Sequence, residues 1–388
     1  MPTETLPPVT LVGFPFRTTG RGEHIRAVWR ALAAAGINAG IYNLPPRVAA
    51  EDTTLLGEFE PFLVDVIPAG IRLFHLNGDE IALCAPLMSR WRTGHMAIRS
   101  TFDSGHNIVF PAWELPHYPA PWARDLERFD EVWAASPFIY DSIRAAVNTM
   151  VLQVPCAAEP HVSTLLGRAH FGIPEYRFAV LFFFDFWSYS SRKNPYAVIE
   201  TFRRLLNARP GADVQLILKL NHSSHDPAVA AEIGRATAGF GDRVTVIDAT
   251  LSTNEARNLV RCCDCFLSLH RSEGFGRGPA EAMFYGKPVI ATGWSGNMEY
   301  MDADNSCPVR FGLVPVGADE YPFAKDQVWA DPDVEHASQL LIRLVDDEMH
   351  AKAIGERART HMQVNYSDAV LGARYRARFE QIASRMRS

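Results

Sequence analysis

The sequence has no hydrophobic run long enough to cross a membrane. Its most apolar stretch, Phe178 to Phe184, is far shorter than the roughly 20 apolar residues that a spanning helix needs. The segment from Met1 to Pro8 has neither the basic part nor the apolar part of a signal peptide. These absences predict a cytoplasmic protein.

An excess of positive charge is also lacking. Lys and Arg number 38 against 44 Asp and Glu, which gives a formal net charge of -6. A chain without a global positive field has no general attraction for nucleic acid or for an anionic bilayer. We therefore expect no nucleic-acid partner, and any basic site has to be local.

Cysteine is present, but its spacing is not that of a metal site. Three of the six cysteines lie close together, at Cys262, Cys263 and Cys265. No second Cys/His pair stands at ligand spacing, and Cys265 opens an apolar run that predicts a buried strand. We interpret these cysteines as packed, reduced thiols and predict no bound metal.

Both halves of the chain alternate short apolar runs with helical segments, the pattern of parallel sheets covered by helices. The first half predicts strands at 9–14, 38–42, 71–76, 107–110 and 131–135, and helices at 23–35 and 137–146. The second half predicts strands at 178–184, 214–220, 244–247, 265–269 and 288–292, and helices at 195–206, 254–262 and 279–285. The predicted fold class is therefore α/β.

Prolines mark a linker between the halves, at 154–160 and again near Pro174. The prediction is an N-terminal Rossmann-like domain over 1–165 and a second Rossmann-like domain over 166–365. A C-terminal helix over 366–388 is expected to pack back towards the first domain.

The segment 268–292 reads as a strand, a glycine-rich loop, a helix and a second strand. Glycines at 274, 276 and 278 allow close approach of the backbone to a ligand, and the free N–H groups at a helix start bind anions such as a diphosphate. Glu273 precedes the predicted helix and Glu281 lies in its predicted first turn, and carboxylates accept hydrogen bonds from sugar and ribose hydroxyls. The alternative is an ordinary strand-to-helix turn in which Glu281 only complements the helix dipole.

This segment resembles the Glu-x7-Glu signature of the family 4 retaining glycosyltransferases (glycosyl transferases group 1), in a bacterial polysaccharide-type branch. The resemblance implies the GT-B fold, with two Rossmann-like parallel-sheet domains facing a cleft. It implies that Glu273 contacts the donor sugar, that the Gly274, Phe275 and Gly276 backbone contacts sugar and phosphate, and that Glu281 holds the ribose. The implied donor is a GDP- or UDP-linked sugar, with no other cofactor.

A second resemblance begins at Phe184 and ends in Arg192-Lys193-Asn194-Pro195, with Lys219 downstream. It looks like the diphosphate-binding loop of the family, which implies that Lys193 binds the donor and takes part in catalysis. Cations suit a helix start poorly unless an anion joins them, which favours a functional role. Ser188 occupies the place where the family usually has an arginine, so Arg192 or Lys219 is the candidate replacement.

The first half carries weaker signals. Gly20 and Gly22 lie in a strand-to-helix connection similar to the family's amino-terminal loop near the donor phosphates, although the string lacks the Gly-x-Gly-x-x-Gly dinucleotide fingerprint. Glu114 and His117 follow a strand in a Trp-Glu-Leu segment and are candidate catalytic residues facing the acceptor. A surface loop without a catalytic role is the equal alternative for these two.

Asp302 and Asp304 form an Asp-x-Asp pair, which holds Mg²⁺ in another class of glycosyltransferase. Here the pair follows a segment that looks helical rather than an apolar strand, and Asn305 comes next. A turn with Asx hydrogen bonds is therefore the favoured interpretation.

Together these features predict a retaining, metal-independent hexosyltransferase. The expected acceptor is a glycan or a lipid-linked molecule in bacterial surface polysaccharide synthesis, and the resemblance to the family implies retention by attack from the front face of the donor sugar. Peripheral membrane contact, assisted by the C-terminal arginines, is the alternative to a fully cytoplasmic location. The rival functions are a sugar phosphorylase, a nucleotide-sugar epimerase and a nucleotide-sugar-binding protein without turnover.

Overall fold

A computed structural model describes residues 6–44, 51–81 and 105–387. The chain divides into two compact units, the first formed by Met1–Ala157 with Asn365–Ser388 and the second by Ala158–Val364. The sequence placed this boundary near residue 165. Cys84 lies outside the described residues.

The first unit contains a parallel sheet of six strands in the order β2-β1-β3-β4-β5-β6. The strands are β1 (Val9–Gly13), β2 (Gly40–Asn43), β3 (Ile71–Phe74), β4 (His106–Val109), β5 (Glu131–Ala134) and β6 (Met150–Gln153). Helices of this unit within the described residues include α1 (Gly20–Ala34), α2 (Leu56–Phe59), α3 (Ala120–Leu126) and α4 (Pro137–Arg144). Strands β1, β3 and β5 are buried along their whole length, as expected of parallel strands with both faces covered.

The second unit repeats this plan with a six-stranded parallel sheet in the order β12-β11-β10-β7-β8-β9. Its strands are β7 (Phe178–Asp185), β8 (Val214–Asn221), β9 (Val244–Asp248), β10 (Cys265–Ser268), β11 (Val289–Thr292) and β12 (Cys307–Val309). A separate antiparallel pair joins β13 (Phe311–Pro315) to β14 (Val328–Pro332). The helices are α5 (Ser190–Lys193), α6 (Pro195–Ala208), α7 (Pro227–Thr237), α8 (Thr253–Cys262), α9 (Arg277–Phe284), α10 (Val334–Asp346) and α11 (Glu348–Tyr366).

Local sequence explains where several of these helices begin. Pro195 occupies the first position of α6, where its missing N–H costs nothing. Ser252 and Glu255 form a reciprocal capping box at the start of α8. The cysteine cluster that follows α8 consists of buried thiols without disulfide bonds, and burial raises the pKa of Cys263 to about 12.

The C-terminal helix α12 (Asp368–Arg387) packs on the first unit. Gly372 permits contact with α1, because a Cβ there would lie 1.9 Å from the Ala31 carbonyl oxygen. Phe379 stacks on Trp133, with ring centroids 5.8 Å apart. Arg378 donates to Glu131 at 2.6 Å, so this arginine, one of those the sequence offered for membrane contact, is engaged in packing instead.

The strands and helices predicted from the sequence are present, with ends shifted by a few residues. The elements that were not predicted are strands β6 and β12, the β13–β14 pair and helices α2, α3, α5, α7, α10 and α11. Residues 297–301 were expected to be helical, and a short 3-10 turn covers Gly296–Glu299. Among the described helices, none combines the length and the apolarity that a bilayer span requires.

Candidate functional site

The candidate site lies at the carboxyl ends of β7 and β10, which are neighbours in the second sheet. Lys193 ends the short helix α5 that follows β7, and Glu273 lies in the loop between β10 and α9. Because loops at this edge of a parallel sheet converge, residues 80 positions apart in the chain come into contact.

Glu273 is held by two cations. Its carboxylate contacts the Lys193 ammonium directly and lies 3.3 Å from the Arg192 guanidinium. Burial alone would raise the pKa of Glu273, but Lys193 and Arg192 lower that pKa to about 2. The carboxylate is therefore ionised at neutral pH, and an ionised carboxylate offers only acceptors to sugar hydroxyls.

The backbone around the two cations is unusual. Tyr189 and Asn194 flank the short helix α5 and both have positive φ, at 63° and 54°. The Asn194 side chain donates to the Leu269 carbonyl at 3.0 Å, which ties this turn to the end of β10. The sequence analysis expected an anion to accompany Lys193 at this helix start. In the structure the Glu273 carboxylate is that anion.

The glycine-rich loop is shaped by close contacts. Gly276 has φ of 82°, and the Tyr300 hydroxyl donates to its carbonyl at 2.5 Å. At Gly278 a Cβ would lie 2.9 Å from the rings of Phe183 and Phe266, so this glycine lets α9 approach the sheet. The side chain of Phe275 packs against Tyr300.

One prediction about this helix was wrong. Pro279 was expected to open the helix and Glu281 to lie in its first turn, but α9 begins at Arg277 and its first turn contains no acidic residue. Glu281 lies one turn further on, where its carboxylate accepts from Arg277 at 3.2 Å. The helix starts earlier because Gly276, in a left-handed conformation, serves as the N-cap.

A segment after β11 fixes the Glu273 loop from the other side, which the sequence analysis did not foresee. The Ser295 hydroxyl accepts from the Glu273 N–H at 2.9 Å, and the Gly296 N–H donates to the Glu273 carbonyl at 2.8 Å. A Cβ at Gly296 would lie 1.8 Å from the Gly274 carbonyl oxygen, so only glycine fits there. The feature of the sequence that could have indicated these contacts is the Gly-Trp-Ser-Gly-Asn string at 293–297.

Behind this loop lies a fully buried hydrogen-bond network around His270, also not predicted. The Asn297 side-chain amide donates to the Thr292 carbonyl at 2.9 Å, so its oxygen faces His270 and accepts from Nε2 at 3.0 Å. The Ser268 hydroxyl then donates to Nδ1 at 3.0 Å. Burial lowers the pKa of His270 to about 4, which keeps the ring neutral behind the charged Glu273.

Lys219 does not join the Glu273 cluster. Its ammonium donates to the Leu220 carbonyl at 3.1 Å and to the Asn221 side chain, on β8. Burial lowers the pKa of Lys219 to about 8. Of the two candidate replacements for the family's arginine, the structure brings Arg192 and not Lys219 into contact with Glu273.

The remaining candidates belong to the first unit. Gly20 begins α1 and has open space around it, whereas a Cβ at Gly22 would lie 2.1 Å from the Arg17 carbonyl oxygen. Glycine at position 22 is therefore explained by packing of the loop. Glu114 is half-buried and His117 is exposed, and the Trp113 indole donates to the His117 carbonyl at 3.0 Å.

Asp302 forms the turn that the sequence favoured. Its carboxylate accepts from the backbone N–H of Asp304 at 2.8 Å and from that of Asn305 at 3.0 Å. Within residues 6–44, 51–81 and 105–387, no three His, Cys, Asp or Glu side chains come together in a way that could hold a metal ion.

Comparison with known proteins matches the second unit to one family. Residues 177–324, which contain Lys193, Glu273 and Glu281, match the model of the family described as Glycosyl transferases group 1. A curated relative from Corynebacterium glutamicum is 26% identical over 190 residues, 47% of this chain and 42% of the relative. That relative is named GDP-mannose-dependent monoacylated alpha-(1-6)-phosphatidylinositol monomannoside mannosyltransferase, and the match spans less than half of its length.

Solved structures share the fold over nearly the whole chain. HepE of Anabaena, in complex with UDP and glucose, superposes with a TM-score of 0.65 at 14% identity, covering 97% of this chain and all of that one. Sucrose-phosphate synthase of Thermosynechococcus elongatus gives a TM-score of 0.65 at 14% identity, covering 97% and 99%. A glycosyltransferase of Rickettsia africae gives a TM-score of 0.65 at 14% identity, covering 97% and 98%. The chain therefore has the GT-B fold, with two Rossmann-like units.

Proposed function

We propose that the protein is a retaining glycosyltransferase that moves a hexosyl group from a nucleotide diphosphate sugar to a glycan or lipid-linked acceptor. The observation that carries this proposal is the contact of Glu273 with Arg192 and Lys193 beside the glycine-rich start of α9. A carboxylate that accepts from sugar hydroxyls lies next to cations and helix N–H groups that bind phosphate. A nucleotide sugar carries both the hydroxyl groups and the diphosphate that these groups would bind.

The chemistry requires stabilisation of a leaving diphosphate while positive charge builds on the sugar. Lys193, Arg192 and the first turn of α9 supply fixed positive charge and dipoles for the leaving phosphate. The Glu273 carboxylate, ionised because of its two cations, faces the developing positive charge at the anomeric carbon. In this proposal Glu281 binds the ribose of the donor. Glu114 and His117 are assigned to the acceptor. The transfer needs no metal ion.

Donor and acceptor identity are inferred by analogy. The relative named for GDP-mannose and the HepE complex with UDP and glucose support a GDP- or UDP-linked hexose as donor. The relative's phosphatidylinositol-linked substrate supports a lipid-linked acceptor, used at the inner face of the membrane during surface polysaccharide synthesis. Action at that place is compatible with a cytoplasmic protein that contacts the membrane peripherally.

The direct test is incubation of the protein with UDP- and GDP-linked hexoses and measurement of released nucleoside diphosphate. We expect slow hydrolysis of one donor, lost in Glu273→Gln, and an anomeric configuration retained in the product by NMR. Release of sugar 1-phosphate in the presence of phosphate would instead favour a phosphorylase, and interconversion of two nucleotide sugars an epimerase. Nucleotide binding without any turnover would indicate a nucleotide-sugar-binding protein that is not an enzyme.

A further inference from the structure

The exposed aromatic ring beside the Glu273 cluster has no role in the function proposed above. Tyr189 lies between β7 and α5, and 41% of it is exposed to solvent. Its backbone carbonyl accepts from the Lys193 N–H at 3.1 Å. The ring is therefore held by the same turn that positions the two cations.

The backbone of Tyr189 is strained. Its φ of 63° with ψ of 112° is a combination that bulky residues avoid. Such strain destabilises the fold, and strained residues cluster at binding and catalytic sites. A glycine would adopt this conformation without strain, so packing alone does not account for a tyrosine here.

The surroundings of the ring indicate a neutral, hydroxylated ligand. Tyr321 contacts the ring edge to face, with centroids 4.8 Å apart, and lies 5.8 Å from the Arg192 guanidinium. Glu320 precedes Tyr321 in the chain, and its side chain is 39% exposed. Its carboxylate accepts from the Gly317 N–H at 2.7 Å and forms a long ion pair with Arg271, at 3.6 Å. Carboxylates repel phosphate but accept hydrogen bonds from hydroxyl groups.

We propose that the exposed face of Tyr189 binds a sugar ring of the acceptor by stacking against its C–H face. A pyranose has an apolar C–H face and a rim of hydroxyls, which suits an exposed aromatic ring with polar side chains in its neighbourhood. Glu273 is assigned to the transferred sugar, and an acceptor sugar has to lie next to it. This inference rests on the proposed transferase function.

The test compares tyrosines at opposite ends of one strand. Tyr176 precedes β7 and is 69% exposed, so Tyr176→Gly is the matched control for Tyr189→Gly. The probes are methyl α-mannopyranoside and methyl α-glucopyranoside, titrated in saturation-transfer NMR with UDP or GDP present. We expect Tyr189→Gly to weaken glycoside binding roughly 2- to 13-fold, the worth of one aromatic contact, and Tyr189→Phe and Tyr176→Gly to bind as wild type does.

Two further readouts separate binding from structure. Tyr189→Phe should match wild type in nucleotide affinity and donor hydrolysis, and in Tyr189→Gly the affinity for glycoside should fall by a larger factor than the affinity for nucleotide, because the turn at Tyr189 also positions Lys193. Glycoside signals that persist unchanged in Tyr189→Gly, or that are missing in wild type while nucleotide binds, would overturn the inference. A loss of nucleotide affinity in Tyr189→Gly as large as the loss of glycoside affinity would mean that this position serves the nucleotide and not the acceptor sugar, which also overturns the inference. A wild type that binds no nucleotide and hydrolyses no donor would instead remove the proposed function, and the inference with it.

Discussion

Glu131 in the first unit is a buried carboxylate and Glu273 in the second a mostly buried one, and each is held by two basic side chains. At Glu131 the partners are His106 at 2.8 Å and Arg378 at 2.6 Å. Burial would raise the pKa of Glu131, but His106, Arg378 and the Trp133 indole lower it to about 2. The pKa of Glu273 is also about 2, so charge state does not distinguish them.

Their positions do distinguish them. Glu131 begins β5, at the amino edge of its sheet, and its partner Arg378 belongs to the helix α12 that closes the first unit. Glu273 follows β10, at the carboxyl edge, where Tyr189, Asn194 and Ser295 all have positive φ. A perturbed carboxylate indicates function only together with such an edge and such strain; alone, it is equally typical of a structural ion pair.

The largest expected effect is on turnover in Glu273→Gln. Loss of the carboxylate that faces the developing positive charge should lower kcat roughly 10²- to 10³-fold. Because Lys193 and Arg192 no longer share their charge with Glu273, the affinity for free UDP or GDP should rise, roughly fivefold. Calorimetric titration beside kcat measures both, with Glu131→Gln as the control whose kcat stays within about twofold. An unchanged kcat in Glu273→Gln would contradict the proposal that Glu273 has a catalytic role and Glu131 a structural one.

Next in size is the stability loss expected in Glu131→Gln. Removing one partner of a buried ion pair leaves Arg378 without its carboxylate and should cost about 3 kcal/mol of unfolding free energy in urea. Because the folded pKa of Glu131 is depressed, its contribution is complete above about pH 4.5 and is lost as pH falls towards 2. The difference between wild type and variant should therefore shrink over that range. A constant difference from pH 7 to pH 3 would contradict the assignment.

Glu281→Gln should have a smaller effect, on binding rather than on chemistry. A charge-assisted hydrogen bond to the ribose is worth about 1.5 to 3 kcal/mol, so affinity for donor and free nucleoside diphosphate should fall roughly 10- to 150-fold. The Glu281 carboxylate already accepts from Arg277 at 3.2 Å, and a proposed exchange of that bond for the ribose favours the lower end of this range. Pyrophosphate has no ribose and serves as the control ligand. If Glu281→Gln lowers the affinity for pyrophosphate as much as the affinity for nucleoside diphosphate, Glu281 does not bind the ribose.

The smallest expected effect is that of EDTA, which should leave transfer unchanged. Phosphate neutralisation is assigned to Lys193, Arg192 and the start of α9, and the Asp302 carboxylate is occupied by two backbone N–H groups. Loss of activity on chelation, restored by Mg²⁺ or Mn²⁺, would transfer that role to a metal.

Much of the second unit could be predicted because its strands are continuous apolar runs and its loops carry Glu273, Lys193 and Glu281 in a recognisable order. The exact start of α9 could not, since it depends on the left-handed Gly276 rather than on Pro279. The roles of Ser295, Asn297 and Tyr300 were also beyond the sequence, because each acts through a contact with a residue more than 20 positions away. Lys219 and Arg192 were indistinguishable as cations until the structure gave them different neighbours.

The chain leaves the first unit after Ala157 and returns to it only with α12. During synthesis, the β5 surface around Trp133 and Glu131 therefore emerges from the ribosome a whole unit ahead of the helix that covers it. The second unit, contiguous in sequence, can complete its core while the first still lacks Tyr375 and Phe379. Arrest of translation before Asp368 would leave that aromatic surface uncovered, so the stability of the first unit depends on a helix that is made after the second unit.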